Sequence, residues 1–315
     1  MQDKHNHHII PQFYLKGFEC LEKPSFVWVY EKGKDFMPGY IKSKYNPRQA
    51  PISKVGFERD YYAVPDRQGG TDFNKYEDIL QTKETAADTL LRKIRNQQMI
   101  SKAEKIIFAE YIVSFISRVP RFENHLESLW PDSIQIEKDR TIRHISRLKK
   151  KYQQIPHDDQ EKLVKWQNKI CIWEKVLEVS PKDLPREGSR MLMAKGNVNA
   201  VHIISQMTWQ FLTAPQGDFF ITNDNPVFFF EKLGIAGHPR SEVTFPISSD
   251  IALVASLNRE LPEKIFSAKS QELKEINRRS ARSAMKQVYC SKSESWVANI
   301  LNKKNYQVNF LYRER

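Results

Sequence analysis

The chain has 315 residues, enough for one large domain or two smaller ones. Its hydrophobic content of 40% and aromatic content of 11% indicate a packed core and exclude an intrinsically disordered chain. Lysine and arginine total 50 against 38 acidic residues, and this net charge of +12 favours nucleic acid, an anionic surface or another acidic partner.

The cysteines and the apolar stretches indicate which classes of protein are not expected. Cys20, Cys171 and Cys290 are far apart, so neither a disulfide framework nor a cysteine zinc site is expected. The longest largely apolar stretch, 106–116, has 11 residues and contains Glu110, which makes it too short to cross a bilayer. No signal-peptide pattern precedes the first charged residues. We therefore expect a cytoplasmic protein with no membrane partner.

Strand patterns dominate the two ends of the chain, and helical patterns dominate its middle. Residues 1–70 and 214–315 are strand-rich, whereas residues 71–213 show mainly helical periodicity. We expect the two ends to meet in space. The predicted fold class is therefore α+β, with a mixed or antiparallel sheet that the N- and C-terminal segments form around a large helical middle region. We predict a single domain over residues 1–315, with the helical region as an insertion.

Several local signals place elements within this plan. Ser101 and Glu104 form a capping-box pattern at the start of a helix, and Pro120 kinks or ends that helix. Residues 133–153 predict a basic helix. Residues 197–212 are apolar on most sides, which predicts a central buried helix.

The last third of the chain carries strand signals around one late helix, 271–284. A β-meander is predicted from four strands, at 219–222, 227–230, 243–247 and 251–255. Further short strands are predicted at 287–290 and 307–312.

A polar turn, residues 222–226 with the sequence TNDNP, lies between the first two strands of that meander. Proline disfavours the α region for Asn225 and cannot donate to a ladder. The turn should place the Asp224 carboxylate and the amides of Asn223 and Asn225 at the end of a buried strand, where scaffolds commonly present functional groups. The alternative is an Asx-turn, in which Asp224 bonds its own backbone.

Three histidines lie within four residues near the start of the chain: His5, His7 and His8. His8 is a candidate general acid or base, because Pro11 and Tyr14 behind it suggest an anchored segment. A divalent metal would need carboxylates such as Asp3 or Asp224, and no spaced motif such as HExxH is present. The sequence does not define a cofactor, and a divalent metal is one option. The alternative is that these histidines lie on a solvated terminus and bind no metal.

Arg118 projects onto the apolar face of its helix. A buried guanidinium needs a carboxylate or an anionic ligand, because an unpaired buried charge is costly. Arg118 and Arg121 together suggest a clamp for phosphate or carboxylate. The alternative is a salt bridge from Arg118 to an acid such as Glu58 or Asp224.

The predicted basic helix carries one positive stripe, at steps of four, three and four residues: Arg140, His144, Arg147 and Lys151. An apolar stripe beside it should pack, which leaves the positive face for phosphate contacts without recognition of sequence. A second basic cluster lies on the late helix: Arg278, Arg279, Arg282 and Lys286. The alternative for both clusters is a solvated helix face.

Trp209 is a candidate stacking platform for a base, on the same side of the predicted 197–212 helix as His202 and Gln206. The alternative is a buried core position. The chain has no P-loop, GxGxxG, GxSxG or kinase motif.

Residues 8–18, HIIPQFYLKGF, resemble the opening signature of the uncharacterised DUF4238 family, with Ile9 in place of the usual aromatic residue. Later blocks resemble it too, namely SRVPR at 117–121, Trp209 with FITNDNPV at 220–227, and FPIS at 245–248. The family's recurring polar positions fall on His8, Gln12, Tyr14, Arg118, Arg121, Asp224 and Asn225. The resemblance implies a bacterial or mobile-element protein, with a toxin or phage-defence role as a hypothesis.

These features predict a nucleic-acid-directed enzyme, a nuclease acting on RNA or DNA. His8 would transfer the proton with help from Tyr14, and Asp224 would orient His8 or hold a metal. Arg118 and Arg121 would stabilise the charged phosphorane. The predicted nucleic-acid contacts come from Arg140, Arg147, Lys151, Trp209 and Asn225.

Two other functions stay open. The first is a non-catalytic module that binds nucleic acid or an acidic partner protein, for instance one from the same operon, with His8 and Asp224 as a buried structural pair. Steep salt dependence without turnover would favour it. The second is an enzyme acting on a small nucleotide-like anion.

Overall fold

The computed structural model describes residues 5–32, 47–65, 70–178, 190, 192–235, 237–303 and 307–311. It divides into two compact units, one formed by Met1–Val119 with Arg190–Arg315 and the other by Pro120–Ser189. Helices and several antiparallel or mixed sheets make up the chain, which confirms the α+β class. The prediction of one domain over residues 1–315 stays a prediction.

A four-stranded antiparallel sheet joins the early and late parts of the chain in the first unit. Its strands, in spatial order, are β3 (Arg48–Pro51), β2 (Phe26–Glu31), β13 (Gln287–Cys290) and β8 (Thr222–Asn223). Val27, Val29 and Tyr30 of β2 are buried, whereas Phe26, Trp28 and Glu31 are partly exposed. The predicted meeting of N- and C-terminal segments is therefore confirmed.

A five-stranded sheet forms the second layer of this unit. Its spatial order is β12 (Lys264–Ser267), β7 (Thr208–Thr213), β11 (Ile251–Ser256), β10 (Glu242–Pro246) and β9 (Phe228–Phe229). Only β12 and β7 run parallel. Strands β9 to β11 form the predicted meander, but the first strand predicted for it was wrong, because β8 pairs with β13 in the other sheet.

The remaining elements of the first unit are short strands and helices. Two small ladders pair β1 (Asn6–His8) with β4 (Phe57–Arg59) and β5 (Val64–Pro65) with β6 (Thr71–Asp72). Its helices include α1 (Gln12–Leu15), α2 (Lys75–Arg95), α3 (Lys102–Arg118), α6 (Val198–Gln206), α7 (Ser270–Ser283) and α8 (Ser295–Asn302). Residues 307–311 form no strand, contrary to the prediction, and residue 312 lies outside the described residues.

The described part of the second unit contains two helices that pack against each other, α4 (Pro120–Gln153) and α5 (Gln160–Glu178). Helix α3 ends at Arg118 and α4 begins at Pro120, so the prediction that this proline ends a helix is confirmed. Proline suits the first position of a helix, where its missing N–H would be unpaired in any case.

The central buried helix is α3, and the prediction of such a helix over residues 197–212 was wrong. Helix α6 ends at Gln206, and residues 208–213 form the buried strand β7. Five of the six residues of β7 are buried, and Trp209, Phe211 and Leu212 continue the apolar pattern of α6, which periodicity did not separate from a longer helix. The second half of α3 is buried on nearly every side, although Ile107 near its start is 42% exposed.

The capping box at the start of α3 is present and gives a pH-dependent prediction. Ser101 N donates to Glu104 at 2.6 Å, and the hydrogen bond from Lys93 together with this backbone donor lowers the pKa of Glu104 to about 2. The folded state therefore favours the ionised carboxylate, and this stabilisation is lost as pH falls from the unfolded-state pKa, about 4.3, towards 2.

For Glu104→Gln we expect a loss of about 1 kcal/mol in unfolding free energy at pH 7, since the variant keeps the cap but loses its charge. Urea unfolding at several pH values should show the gap between wild type and variant closing as pH falls from 5 to 2. A gap that does not change with pH would contradict the assignment.

Candidate functional site

The first strand anchors the histidine cluster. His7 is fully buried, and its Nδ1 accepts from Tyr62 N at 2.8 Å while its Nε2 donates to the carbonyl of Phe73 at 2.8 Å. These two partners fix the neutral Nε2–H tautomer. His7 is thus a structural residue, and it holds the neighbouring His8 in a defined position on β1.

His8 is half-buried and keeps the properties of a proton acceptor. Its Nε2 lies 3.2 Å from Gln12 Nε2, so the side-chain amide donates to the ring nitrogen. Desolvation lowers the pKa of His8 below its usual value, with the nearby His7 acting in the same direction and a backbone hydrogen bond at Ser53 opposing them. The imidazole is therefore neutral at pH 7, and the lone pair of Nε2 is the basic site.

Tyr14 is a core residue. Its hydroxyl donates to the carbonyl of Pro246 at 2.7 Å and lies 2.7 Å from Thr222 Oγ1, while its ring stacks on Phe245 at 5.3 Å. Burial raises the pKa of the phenol. These contacts join α1 to both sheets and leave the hydroxyl buried, so the geometry does not support the prediction that Tyr14 assists proton transfer at His8.

The polar turn after β8 binds the end of helix α7. The side-chain amide of Asn223 donates to the carbonyl of Ser280 at 2.7 Å, and that of Asn225 donates to the carbonyl of Ser283 at 3.1 Å. Asn225 N donates to Asn223 Oδ1, so Asn223 rather than Asp224 makes the Asx contact. Asn225 is buried, which removes it from the surface where its predicted nucleic-acid contact would form.

The Asp224 carboxylate accepts three backbone N–H groups in the connection from α7 to β13. The donors are Met285 N at 2.7 Å, Lys286 N at 2.6 Å and Gln287 N at 3.0 Å. Burial raises the pKa of Asp224, and these donors oppose that effect. Within the described part of the chain no hydrogen bond joins Asp224 to His8. The predicted orienting role of Asp224 is therefore not seen in this geometry.

Asp224→Ala should lower the unfolding free energy by about 2–4 kcal/mol, because three backbone donors lose a charged acceptor and the connection is only partly open to water. Urea denaturation measures this loss. Asp218→Ala is the matched control, since Asp218 is exposed on a nearby loop. Equal effects of the two changes would contradict the structural role of Asp224.

The buried Arg118 forms an ion pair with Glu84 of α2, whose side chain is 23% exposed. Its Nη1 donates to Glu84 Oε1 at 2.7 Å, and its Nη2 donates to Ser114 Oγ at 3.0 Å. The guanidinium lies 4.6 Å from the ring centroid of Phe115, and the side chain is 0% exposed. The expected salt bridge is therefore present, but with Glu84 rather than Glu58 or Asp224.

Glu84 was missed from the sequence although a signal was available. It follows Leu80 by four residues and precedes Ala87 by three, and both of these are buried. A carboxylate on the apolar stripe of a helix needs a cationic partner.

Arg121 lies at the start of α4, in the second unit, and is half-buried. The hydrogen bonds that the structure gives the Arg118 guanidinium go to Glu84 and Ser114. The predicted phosphate clamp formed by Arg118 and Arg121 therefore has no support in the contacts of Arg118.

Helix α4 presents the predicted positive stripe. Arg140, Arg147 and Lys151 are exposed, whereas Ile145 and Leu148 are buried in a cluster with Ile170 of α5. Residues 140–157 contain six lysines and arginines and no acidic residue. Lys149 pairs with Glu174 of α5 at 2.7 Å, so part of this charge is neutralised between the helices. One face packs and the other is positive, as the spacing predicted.

Trp209 and the second basic cluster do not offer the surface that the sequence predicted for nucleic acid. Trp209 is 1% exposed on strand β7, and its Nε1 donates to the carbonyl of Ile204 at 2.8 Å, so it has no open face for a base. Arg279 of the second basic cluster is 0% exposed and pairs with Glu242 at 2.6 Å. Lys286 of that cluster pairs with Glu58 at 2.9 Å. The second cluster is therefore not an extended basic surface.

The order of these features along the chain matches one family model. The model for DUF4238, described as a protein of unknown function, matches residues 6–294. The chain belongs to this family. Neither the curated proteins nor the solved structures gave a match.

In this DUF4238 protein, most of the recurring polar positions stabilise the fold. Tyr14 joins α1 to both sheets, and Arg118 holds α3 to α2. Asp224 and Asn225 bind the end of α7 and its connection to β13. His8 and Gln12 differ, because they form a half-buried pair near the surface. His8 is therefore the predicted catalytic residue whose described contacts leave it able to act as a base.

The part of the DUF4238 chain that the structure describes has no group of three or more His, Cys, Asp or Glu side chains that could hold a metal ion. Asp3, one predicted metal ligand, lies outside the described residues. None of the described helices has both the length and the apolar character needed to cross a bilayer.

Proposed function

We propose that this DUF4238 protein binds RNA or DNA through contacts between the exposed face of helix α4 and backbone phosphates. The observation that carries the proposal is the uninterrupted positive charge of residues 140–157, in which six basic residues occur without an acidic one. Arg140, Arg147 and Lys151 expose their side chains along one stripe. A polyanion is the partner that this charge distribution favours.

The geometry of the stripe suits a phosphate backbone. From residue 140 to residue 151 the helix rises about 16 Å at 1.5 Å per residue, so the side chains can contact several successive phosphates. The buried residues of the opposite face keep the helix in place without the positive side chains. Contacts of this kind position the partner but carry no sequence information. We therefore expect similar affinity for unrelated sequences.

The experiment is a mobility-shift titration of the purified full chain with labelled RNA and duplex DNA of several unrelated sequences. The expected result is a shift with similar midpoints across sequences of one type, and a midpoint that rises with salt. Comparison of RNA with DNA identifies the preferred polymer. No shift with either polymer at 50 mM salt would contradict the proposal.

Phosphodiester hydrolysis at His8 is a second candidate function, and the His8–Gln12 pair is the observation that favours it. A neutral imidazole can act as a general base, and here Nε2 would take the substrate proton after the Gln12 amide has moved from it. The described contacts of Tyr14, Arg118 and Asp224 are structural, so further catalytic groups would have to come from the substrate, a metal or other residues. The toxin or phage-defence role and the small-anion substrate stay predictions.

The hydrolysis hypothesis predicts cleavage of RNA or plasmid DNA that His8→Ala abolishes and Gln12→Ala changes only severalfold. Loss of a general base lowers the rate of cleavage by about 10²–10⁴-fold. Gln12 only holds the His8 ring in place, so its loss should have a smaller effect. Parallel reactions with EDTA test the need for a metal. His157→Ala, in an exposed position of the second unit, is the matched control. Binding without cleavage by wild type would contradict this candidate and leave the binding proposal intact.

A further inference from the structure

The five residues 307–311 lie in a groove between α7 and strand β10, here called the α7 groove. Its floor contains Arg279, which is 0% exposed and donates to Thr244 Oγ1 at 2.7 Å and to Glu242 Oε2 at 2.6 Å. The guanidinium also lies 5.3 Å and 5.2 Å from the ring centroids of Phe228 and Phe230. A charged network thus occupies a position that a protein core would usually fill with apolar side chains.

The buried charges bind the main chain of the 307–311 segment. Asn309 N donates to Glu275 Oε1 at 2.6 Å, and Arg279 Nη2 donates to the carbonyl of Asn309 at 2.5 Å. Leu311 N donates to Glu242 Oε1 at 3.1 Å. An N–H and a carbonyl of one residue, followed by the N–H two residues later, form one edge of an extended chain. These bonds therefore require an extended peptide but no particular side chain.

One aromatic position adds selectivity. The ring of Phe310 lies 4.4 Å from that of Phe230, and the Arg240 guanidinium lies 4.6 Å from its centroid. Side chains alternate between the two faces of an extended chain, so Phe310 projects to the face opposite to that of Asn309 and Leu311. An aromatic side chain between a ring and a guanidinium gains both stacking and cation–π attraction.

The charge balance explains why a peptide suits this groove. Glu242 and Glu275 are 2% and 5% exposed, and the buried cation between them is Arg279. Buried carboxylates need hydrogen-bond donors to offset their desolvation, and peptide N–H groups supply them. The segment leaves space beside it, since a cavity of about 730 Å³ lies between Asn309–Leu311 and the α7 side chains Gln271, Lys274 and Arg278. That volume is within the range of ligand sites.

We propose that the α7 groove is a recognition site for an extended peptide of a partner protein, with an aromatic residue at the position of Phe310. The 307–311 segment is its internal occupant, and the partner peptide displaces it. The main-chain pattern and the aromatic position define the partner's chemistry. This site is separate from the proposed nucleic-acid contact on helix α4.

The internal occupant sets how strongly a partner must bind. A segment held on the same chain by a short connection faces its groove at an effective concentration on the order of millimolar. A free peptide competes only weakly against it, so weakening the internal segment should raise the apparent affinity for an added peptide by about 10-fold or more.

The test uses the full chain and a labelled peptide with the sequence of residues 305–313, NYQVNFLYR. Fluorescence anisotropy should show saturable binding to Phe310→Ala at least 10-fold tighter than to wild type. The same peptide with alanine in place of its phenylalanine should bind at least 10-fold more weakly. Asn309→Pro provides a second variant, because it removes the N–H that binds Glu275.

Circular dichroism and thermal unfolding show first that each variant is folded. The proposal is wrong if folded variants bind the peptide no better than wild type, or if the aromatic residue of the peptide makes no difference. Concentration-dependent dimers of the variants without peptide binding would also contradict it, because the groove would then serve a second copy of the chain.

Discussion

Arg118→Ala should lower the unfolding free energy of the protein by about 3–5 kcal/mol, the usual cost of breaking a buried ion pair from one side. The change leaves Glu84 without its cation on a helix face that packs against α3. It also removes the guanidinium from above Phe115 and leaves a cavity in the most buried part of α3. Urea denaturation followed by circular dichroism measures the loss.

The matched control is Arg92→Ala, since Arg92 pairs with Asp88 on the exposed face of α2. Exposed pairs of this spacing contribute about 0.3–0.5 kcal/mol. A small effect of Arg118→Ala on stability, combined with loss of nucleic-acid cleavage, would contradict the structural role and restore the catalytic hypothesis for Arg118.

The second large effect concerns binding. Replacement of Arg140, Arg147 and Lys151 by glutamine should weaken binding to duplex DNA on the order of 10²-fold at low salt, because three phosphate contacts and their released counterions are lost. The three side chains are exposed, so the fold should be unaffected. Titrations with the same duplex, monitored by anisotropy, give the two affinities.

A control with the same change in net charge removes exposed basic residues from the other unit, at Lys54, Lys102 and Arg259. Its affinity should fall by less than about 5-fold if binding depends on the α4 stripe rather than on total charge. Equal losses in the two triple variants would show that net charge alone attracts the polymer.

Much of the fold could be predicted from local signals. The capping box predicted the start of α3, and Pro120 predicted its end. The strand Gln287–Cys290 was also predicted where the structure has it. The sheet assignment of β8 could not be predicted, because its pairing with β13 depends on residues more than sixty positions later. Strand β7 was mistaken for helix, since its apolar residues directly continue the apolar pattern of α6 and five of its six residues are buried.

The candidate site shows where sequence patterns stop being informative. Polar residues in buried contexts were correctly singled out, but their partners decide their roles, and those partners are backbone groups or distant side chains. Asp224 binds three N–H groups that no side-chain pattern reveals. The stripe on α4 was predicted well, because exposed charge at helical spacing needs no distant partner.

The salt dependence of binding tests the proposed function most directly. We would measure the affinity of wild type for a random-sequence duplex between 50 and 200 mM salt and plot its logarithm against that of the salt concentration. The account predicts a straight line of negative slope that is about 2.7 units shallower in the Arg140, Arg147 and Lys151 variant, at about 0.9 per phosphate contact. Binding with equal slopes in both proteins, or no binding at 50 mM salt, would contradict it.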